Sequence, residues 1–150
     1  MGGFVGSFEH AIDAKGRLSI PAKFKEFLNT HSGGKVMITT LVMDPCLVAY
    51  PIPEWEAFDA RAQKMSSTDD GMRDFLRIFY SNATECPLDR QGRVLISGTL
   101  RGKVQLDGDV ILIGMGNKFE IWSLSLWRER QPSMLQSFQA SKGILASLGV

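Results

Sequence analysis

A chain of 150 residues with 44% hydrophobic content has room for one compact core or two small fused units, and it is too apolar to be disordered throughout. Two cysteines, Cys46 and Cys86, and two histidines, His10 and His31, are too few and wrongly spaced for a disulfide scaffold or a four-ligand zinc site, so neither metal nor cofactor is expected. The net charge of +1 excludes binding by overall basicity, no apolar run approaches the ~20 residues that cross a bilayer, and no secretion signal opens the chain, which points to the cytoplasm.

Phe4, Phe8 and Ile12 recur on one parity with Ser7 and Glu9 on the other, as in a half-buried strand, and His10 falls on the inward parity as a packed residue. Asp13-Ala14-Lys15-Gly16 then reads as a turn. The Asp13 side chain can accept backbone N–H groups, and Gly16 can take the positive φ that closes a hairpin. Arg17 opens a strand over Leu18 to Ile20, and Pro21 suits the first turn of a helix carried by Phe24, Phe27 and Leu28. Ser32-Gly33-Gly34 ends that helix. Val36 to Val42 and Cys46 to Tyr50 read as strands separated by Asp44-Pro45, with both cysteines taken as small buried apolar residues.

Beyond Pro51 and Pro53, Trp55, Phe58, Ala62 and Met65 mark one face of a helix. The run from Ser66 to Asp70 breaks it and caps another, whose buried stripe is Met72, Phe75, Leu76 and Phe79. Asp89-Arg90-Gln91-Gly92-Arg93-Val94-Leu95-Ile96 follows. A weaker helix comes next, since Ser97-Gly98 replaces the proline and Gly102 shortens the run. Asp107-Gly108 and Gly114 to Asn117 are turn signals around an apolar strand, and from Gln131 a loosely held tail is expected, with at most a short docking helix on Met134, Leu135 and Phe138.

The chain contains the same unit twice. Residues 13–20 superpose on 89–96 with Asp, Gly, Arg and Ile matched. Val36-Met37-Ile38 lies over Val110-Ile111-Leu112, Leu47 to Tyr50 over Phe119 to Trp122, and Trp55 over Trp127. Two copies point to duplication and a pseudo-twofold relation between halves. Tyr50, Trp55, Trp122 and Trp127 are then matched packing aromatics. The division read from the sequence is a first repeat over 1–58, a helical connection over 59–80, a second repeat over 81–130 and a tail over 131–150. Positive charge gathers in the matched places: Lys15, Arg17, Lys23 and Lys25 against Asp13 alone, and Arg90, Arg93, Arg101 and Lys103 against Asp89 alone.

This order of elements, with the segments Asp13 to Pro21, Pro45-Cys46-Leu47, Tyr50 to Trp55 and Asn117 to Trp122, resembles the MraZ family of bacterial transcriptional regulators to about Arg130. The resemblance implies a mixed, mainly β fold in which duplicated β-α-β-β units form an AbrB-like swapped-hairpin barrel within one chain, joined by connecting helices. It also implies a ring-shaped homo-oligomer that binds short tandem direct repeats of double-stranded promoter DNA ahead of the division and cell-wall gene cluster, usually as a repressor, and hence a nucleoid-associated protein. Its Asp-x-x-x-Arg segments carry over to Asp13 with Arg17 and to Asp89 with Arg93. Ser97, the lengthened start at Met1-Gly2-Gly3 and the charge-poor tail depart from the family pattern.

On that reading Arg17 and Arg93 contact bases, because arginine can place two parallel N–H donors on guanine O6 and N7. Lys15 and Arg90 contact phosphate and hold the register, and Lys23, Lys25, Arg101 and Lys103 extend the field, though they are closer to an ordinary solvated face. Asp13, Gly16, Asp89 and Gly92 support the turns, with the aspartates expected to be buried because a carboxylate facing DNA would be repelled. A near-neutral chain binds DNA poorly by itself, and repetition in a ring can raise avidity by ~10²–10⁴. Two rivals stand beside this reading. An enzyme lacks its motifs here, with no Gly-x-Ser-x-Gly and no phosphate loop; Gly114-Met115-Gly116 sits between strands. An oligomeric scaffold or antitoxin-like interaction module of the same barrel superfamily is the stronger alternative.

Overall fold

The computed structural model describes residues 3–41, 43–65 and 68–150; Met1-Gly2, the expected strand end at Val42 and the helix break at Ser66-Ser67 lie outside the described residues. The chain runs β1 (Ser7–Ile12), β2 (Arg17–Ser19), α1 (Ala22–His31), β3 (Lys35–Leu41), β4 (Cys46–Pro51), α2 (Ile52–Lys64), α3 (Asp70–Asn82), β5 (Thr84–Pro87), β6 (Arg93–Leu95), α4 (Gly98–Val104), β7 (Gly108–Gly114), β8 (Phe119–Ser123), α5 (Leu124–Gln139) and α6 (Lys142–Leu148). Each half is therefore the expected β-α-β-β unit preceded by one further strand, β1 or β5.

All eight strands join one antiparallel sheet in the order β5-β3-β4-β8-β7-β1-β2-β6. Its ends approach each other where the Cys86 Sγ lies 3.7 Å from the Leu95 carbonyl oxygen, so the sheet is nearly closed. The halves exchange strands. β1 pairs with β7 of the second unit, Val110 opposite His10, while β5 pairs with β3 of the first, Val36 opposite Cys86. Two pairs straddle the pseudo-twofold: β2 with β6, Leu18 opposite Val94, and β4 with β8, Leu47 opposite Ile121 and Ala49 opposite Phe119. These registers reproduce the correspondence seen in the sequence: Leu18 faces its own duplicate Val94, Val48 faces its own duplicate Glu120, and Leu47 and Ala49 each face the duplicate of the other.

The closed side of the sheet holds the main core: Phe4, Leu18, Phe24, Leu28, Val36, Ile38, Val94, Ile96, Leu112, Phe119 and Ile121 are all buried. Phe4 meets Phe24 and Phe119 with ring centroids 5.0 Å apart in both cases. Each such side chain stabilises the fold by about 1.5–3 kcal/mol through area removed from water. Both cysteines are buried and unpaired, and burial pushes the Cys86 thiol up to about 11 and the Cys46 thiol up as well.

The helices differ more from expectation. α4 is short, seven residues against ten in α1, and Ser97 replaces Pro21 by accepting a hydrogen bond from Leu100 N at 3.2 Å. The connecting helices pack through an aromatic cluster of Tyr50, Trp55, Phe58 and Phe79, but Phe75 of the expected buried stripe is 36% exposed, and Met65, read as part of the face of α2, is exposed at its C-cap. The expected loose tail is instead α5 and α6. Ser123 caps α5 and accepts from Leu126 N. Leu124, Leu126, Trp127 and Met134 pack on Cys46, Val48, Ile111 and Trp122, so the helix continues through Pro132. Leu135 and Phe138 remain exposed.

Candidate nucleic-acid interface

Both Asp-x-x-Gly-Arg segments fold into the same loop. In the first, Asp13 Oδ1 accepts from the backbone N–H of Lys15 (3.0 Å) and of Arg17 (2.9 Å), while Oδ2 accepts from Arg17 Nε at 2.7 Å. In the second, Asp89 Oδ1 accepts from Gln91 N (2.8 Å) and Arg93 N (2.9 Å), and Oδ2 from Arg93 Nε at 3.0 Å. Gly16 and Gly92 turn the corner at φ +89° and +75°, and Gly16 N and Gly92 N each donate to the aspartate carbonyl three residues back at 3.0 Å. The Arg17 backbone N–H, together with its guanidinium, holds the Asp13 carboxyl at about 2; that of Arg93 lowers Asp89 in the same direction.

The expectation of buried aspartates is corrected here. Their side chains are 39% accessible, as open as that of Arg17 at 38%. At the tip of a short turn each carboxylate keeps one side open to solvent. What tolerates the exposed charge is its use: both oxygens are already committed to N–H donors.

Strand exchange brings the loops side by side. Ile20 N donates to Gly92 O (3.0 Å) and Ile96 N to Gly16 O (2.8 Å), so each loop is stitched to the strand end of the other half. In the intervening β2–β6 pair Arg17 lies opposite Leu95 and Ser19 opposite Arg93. Leu18 and Val94 point into the core, so Arg17, Ser19, Arg93 and Leu95 share the outward face. Arg17 and Arg93 are diagonal neighbours on that face, about 7–8 Å apart by strand geometry. Among the described residues each guanidinium has one side-chain hydrogen-bond partner, its own aspartate through Nε, which leaves both terminal nitrogens unused.

The helical cations cross over between halves. Arg101 of α4 lies over Gly16 of the first loop, its Nε donating to Ile96 O at 3.1 Å, and Lys25 of α1 lies over Gly92 of the second. Lys15 and Arg90 stand exposed at the loop tips. Six of the eight sequence-predicted cations thus gather around the paired loops. Lys23 and Lys103 sit on exposed helix positions, and no hydrogen bond or ion pair ties either to a loop among the described residues.

Ser19 and Leu95 were missed by the sequence reading. The signal was available in strand parity, since both stand two residues after an outward arginine.

Fold and site together define a class: a duplicated, strand-exchanged barrel that presents two matched cationic loops on one face. The model of the family described as "MraZ protein, putative antitoxin-like" matches residues 4–78 and again 79–142. Proteins named transcriptional regulator MraZ are similar along almost the whole chain. That of Desulfitobacterium hafniense (strain Y51) is 39% identical over 98% of this chain and 99% of its own. That of Lactiplantibacillus plantarum is 41% identical over 90% and 92%, and that of Moorella thermoacetica 43% identical over 84% and 85%. The chain belongs to the MraZ family.

Proposed function

We propose that this protein is a non-catalytic regulator of transcription that binds double-stranded promoter DNA through Arg17 and Arg93. One observation carries the reading: two guanidinium groups stand on a single outward face, each pinned through Nε with its terminal nitrogens unused. That is the geometry a bidentate contact to guanine or phosphate requires, with the side chain oriented before binding. The names of the relatives support the same reading.

Lys15 and Arg90 at the loop tips then contact phosphate on either side, and Lys25 and Arg101 stiffen the loops as well as adding charge. Lys23 and Lys103 contribute only to the distant field. The net charge of +1 leaves one chain weak at physiological salt, so binding is by a ring of chains on tandem direct repeats. The regulated promoter is that of the division and cell-wall gene cluster holding the protein's own gene, the action is repression, and the protein resides in the cytoplasm on the nucleoid. Among the described residues no helix is long and apolar enough to cross a membrane. The family description favours a second reading, an antitoxin-like interaction module or oligomeric scaffold, in which the loops serve a protein partner.

Fluorescence anisotropy on a labelled duplex from upstream of the gene separates the two. The regulator binds only duplexes that keep the repeats, with affinity falling steeply from 50 to 200 mM salt, as release of condensed counterions from ~6–10 phosphate contacts requires. Arg17→Ala and Arg93→Ala each weaken specific binding by about 1–3 kcal/mol, as loss of a bidentate base contact does. Equal binding by Arg17→Ala and the parent would refute the site, and no binding by the parent would favour the interaction module.

A further inference from the structure

The two loops match in fold and in their Asp, Gly and Arg, and differ at the tip only in which position carries the cation, Lys15 in one and Arg90 in the other; the face between them differs in chemical character. Under the pseudo-twofold that exchanges Arg17 with Arg93, Ser19 exchanges with Leu95. Ser19 is a small hydroxyl residue; Leu95 is a large apolar one, 62% exposed, standing directly opposite Arg17 while its neighbours Val94 and Ile96 are each 1% exposed. The fold leaves this leucine in water within a cationic face. Contact with another apolar group would recover that exposed area.

Resting on the proposed DNA reading, we infer that Leu95 is a specificity-determining residue that contacts a thymine 5-methyl group in the major groove, and that the Leu95/Ser19 difference orients the chain on its site. The thymine methyl is the one apolar group the major groove offers, and leucine is complementary to it, whereas serine takes either a donor or an acceptor. Side chains directly opposite in an antiparallel pair are about 4.5–5.5 Å apart, against a rise of about 3.4 Å per base step, which places the methyl one or two steps from the guanine read by Arg17. A reader with perfect twofold symmetry would bind in two opposite orientations equally. Tandem direct repeats demand one orientation, and the leucine on one side supplies it.

The test scans the promoter duplex with single thymine-to-deoxyuridine replacements, each of which deletes only one methyl group. The parent weakens about fourfold, the worth of one buried methyl, at a position within two steps of the guanine whose replacement becomes silent in Arg17→Ala. Leu95→Ser binds thymine and deoxyuridine duplexes equally, with an unchanged melting temperature because the side chain is exposed. The double variant Ser19→Leu with Leu95→Ser moves the methyl-sensitive position to the other side, beside the guanine read by Arg93. Binding that depends on Arg17 yet ignores every deoxyuridine, or methyl sensitivity that survives Leu95→Ser, overturns this inference while leaving the DNA reading standing. A parent that does not bind the promoter at all overturns both.

Discussion

Gly16 and Gly92 stand at equivalent corners and meet different neighbours. A Cβ on Gly16 would collide with the Ile96 carbonyl oxygen, which is backbone and already accepts from Arg101; the atoms nearest a Cβ on Gly92 all belong to the outer part of the Lys25 side chain, which can swing away. Both positions also carry the cost of a left-handed backbone, about 1–2 kcal/mol for a residue with a Cβ. Gly16→Ala is therefore expected to lower the thermal midpoint clearly more than Gly92→Ala, as differential scanning calorimetry of the two variants will register. Asp13 gives a second expectation at this scale. Its folded value, about 2, lies below the ordinary 3.8, so ionisation favours the folded loop. The contribution is complete above about pH 4 and fades as pH falls toward 2, and the carboxylate adds no pH dependence between 5 and 8. A carbon-detected NMR titration of the Asp13 carboxyl group should give a midpoint near 2; a midpoint near 3.8 would mean the Arg17 contacts do not persist in solution.

At the scale of elements, α4 leans on the single side chain that caps it. Its proline-bearing counterpart begins with a fixed φ, whereas α4 begins with Ser97 and contains Gly98 and Gly102. Ser97→Ala should cost about 1 kcal/mol, the usual worth of such a cap, measured by urea denaturation, and should loosen Arg101 over the first loop. Much of this level was legible in the residues. Parity identified β1, Asp-x-x-Gly the two turns, and Ser97-Gly98 the shortened helix, because each rests on contacts local in sequence. α5 was legible only as a short docking helix at most: the polar run from Gln131 reads as a loose tail, and packing of Trp127 and Met134 on the outer face of β7 and β8 overrides that local preference. The seating of Lys25 on Gly92 and Arg101 on Gly16 was equally hidden, since it follows from strand exchange and not from spacing.

For the whole molecule, exchange means that neither half holds a complete sheet. Without β7, β1 loses its long partner from Ser7 to Ile12, and without β3, β5 loses the edge that seats Cys86 in the core. Fragments 1–82 and 83–150 produced separately should lack the near-ultraviolet dichroism of packed aromatics, recover it on mixing, and elute as a 1:1 complex. A folded monomer of either fragment would contradict the topology. The intact chain should unfold in a single cooperative step. Gene duplication ordinarily frees one copy to drift while the other keeps the original task. Here the helix of each copy rests on the corner of its sibling, and each corner is hydrogen-bonded to the sibling's strand end, so a change accepted in one copy alters the shape of the other. Divergence is thus channelled to the few outward positions that no sibling touches, and a duplicated gene of this kind evolves new preferences by small asymmetries instead of by releasing a spare copy.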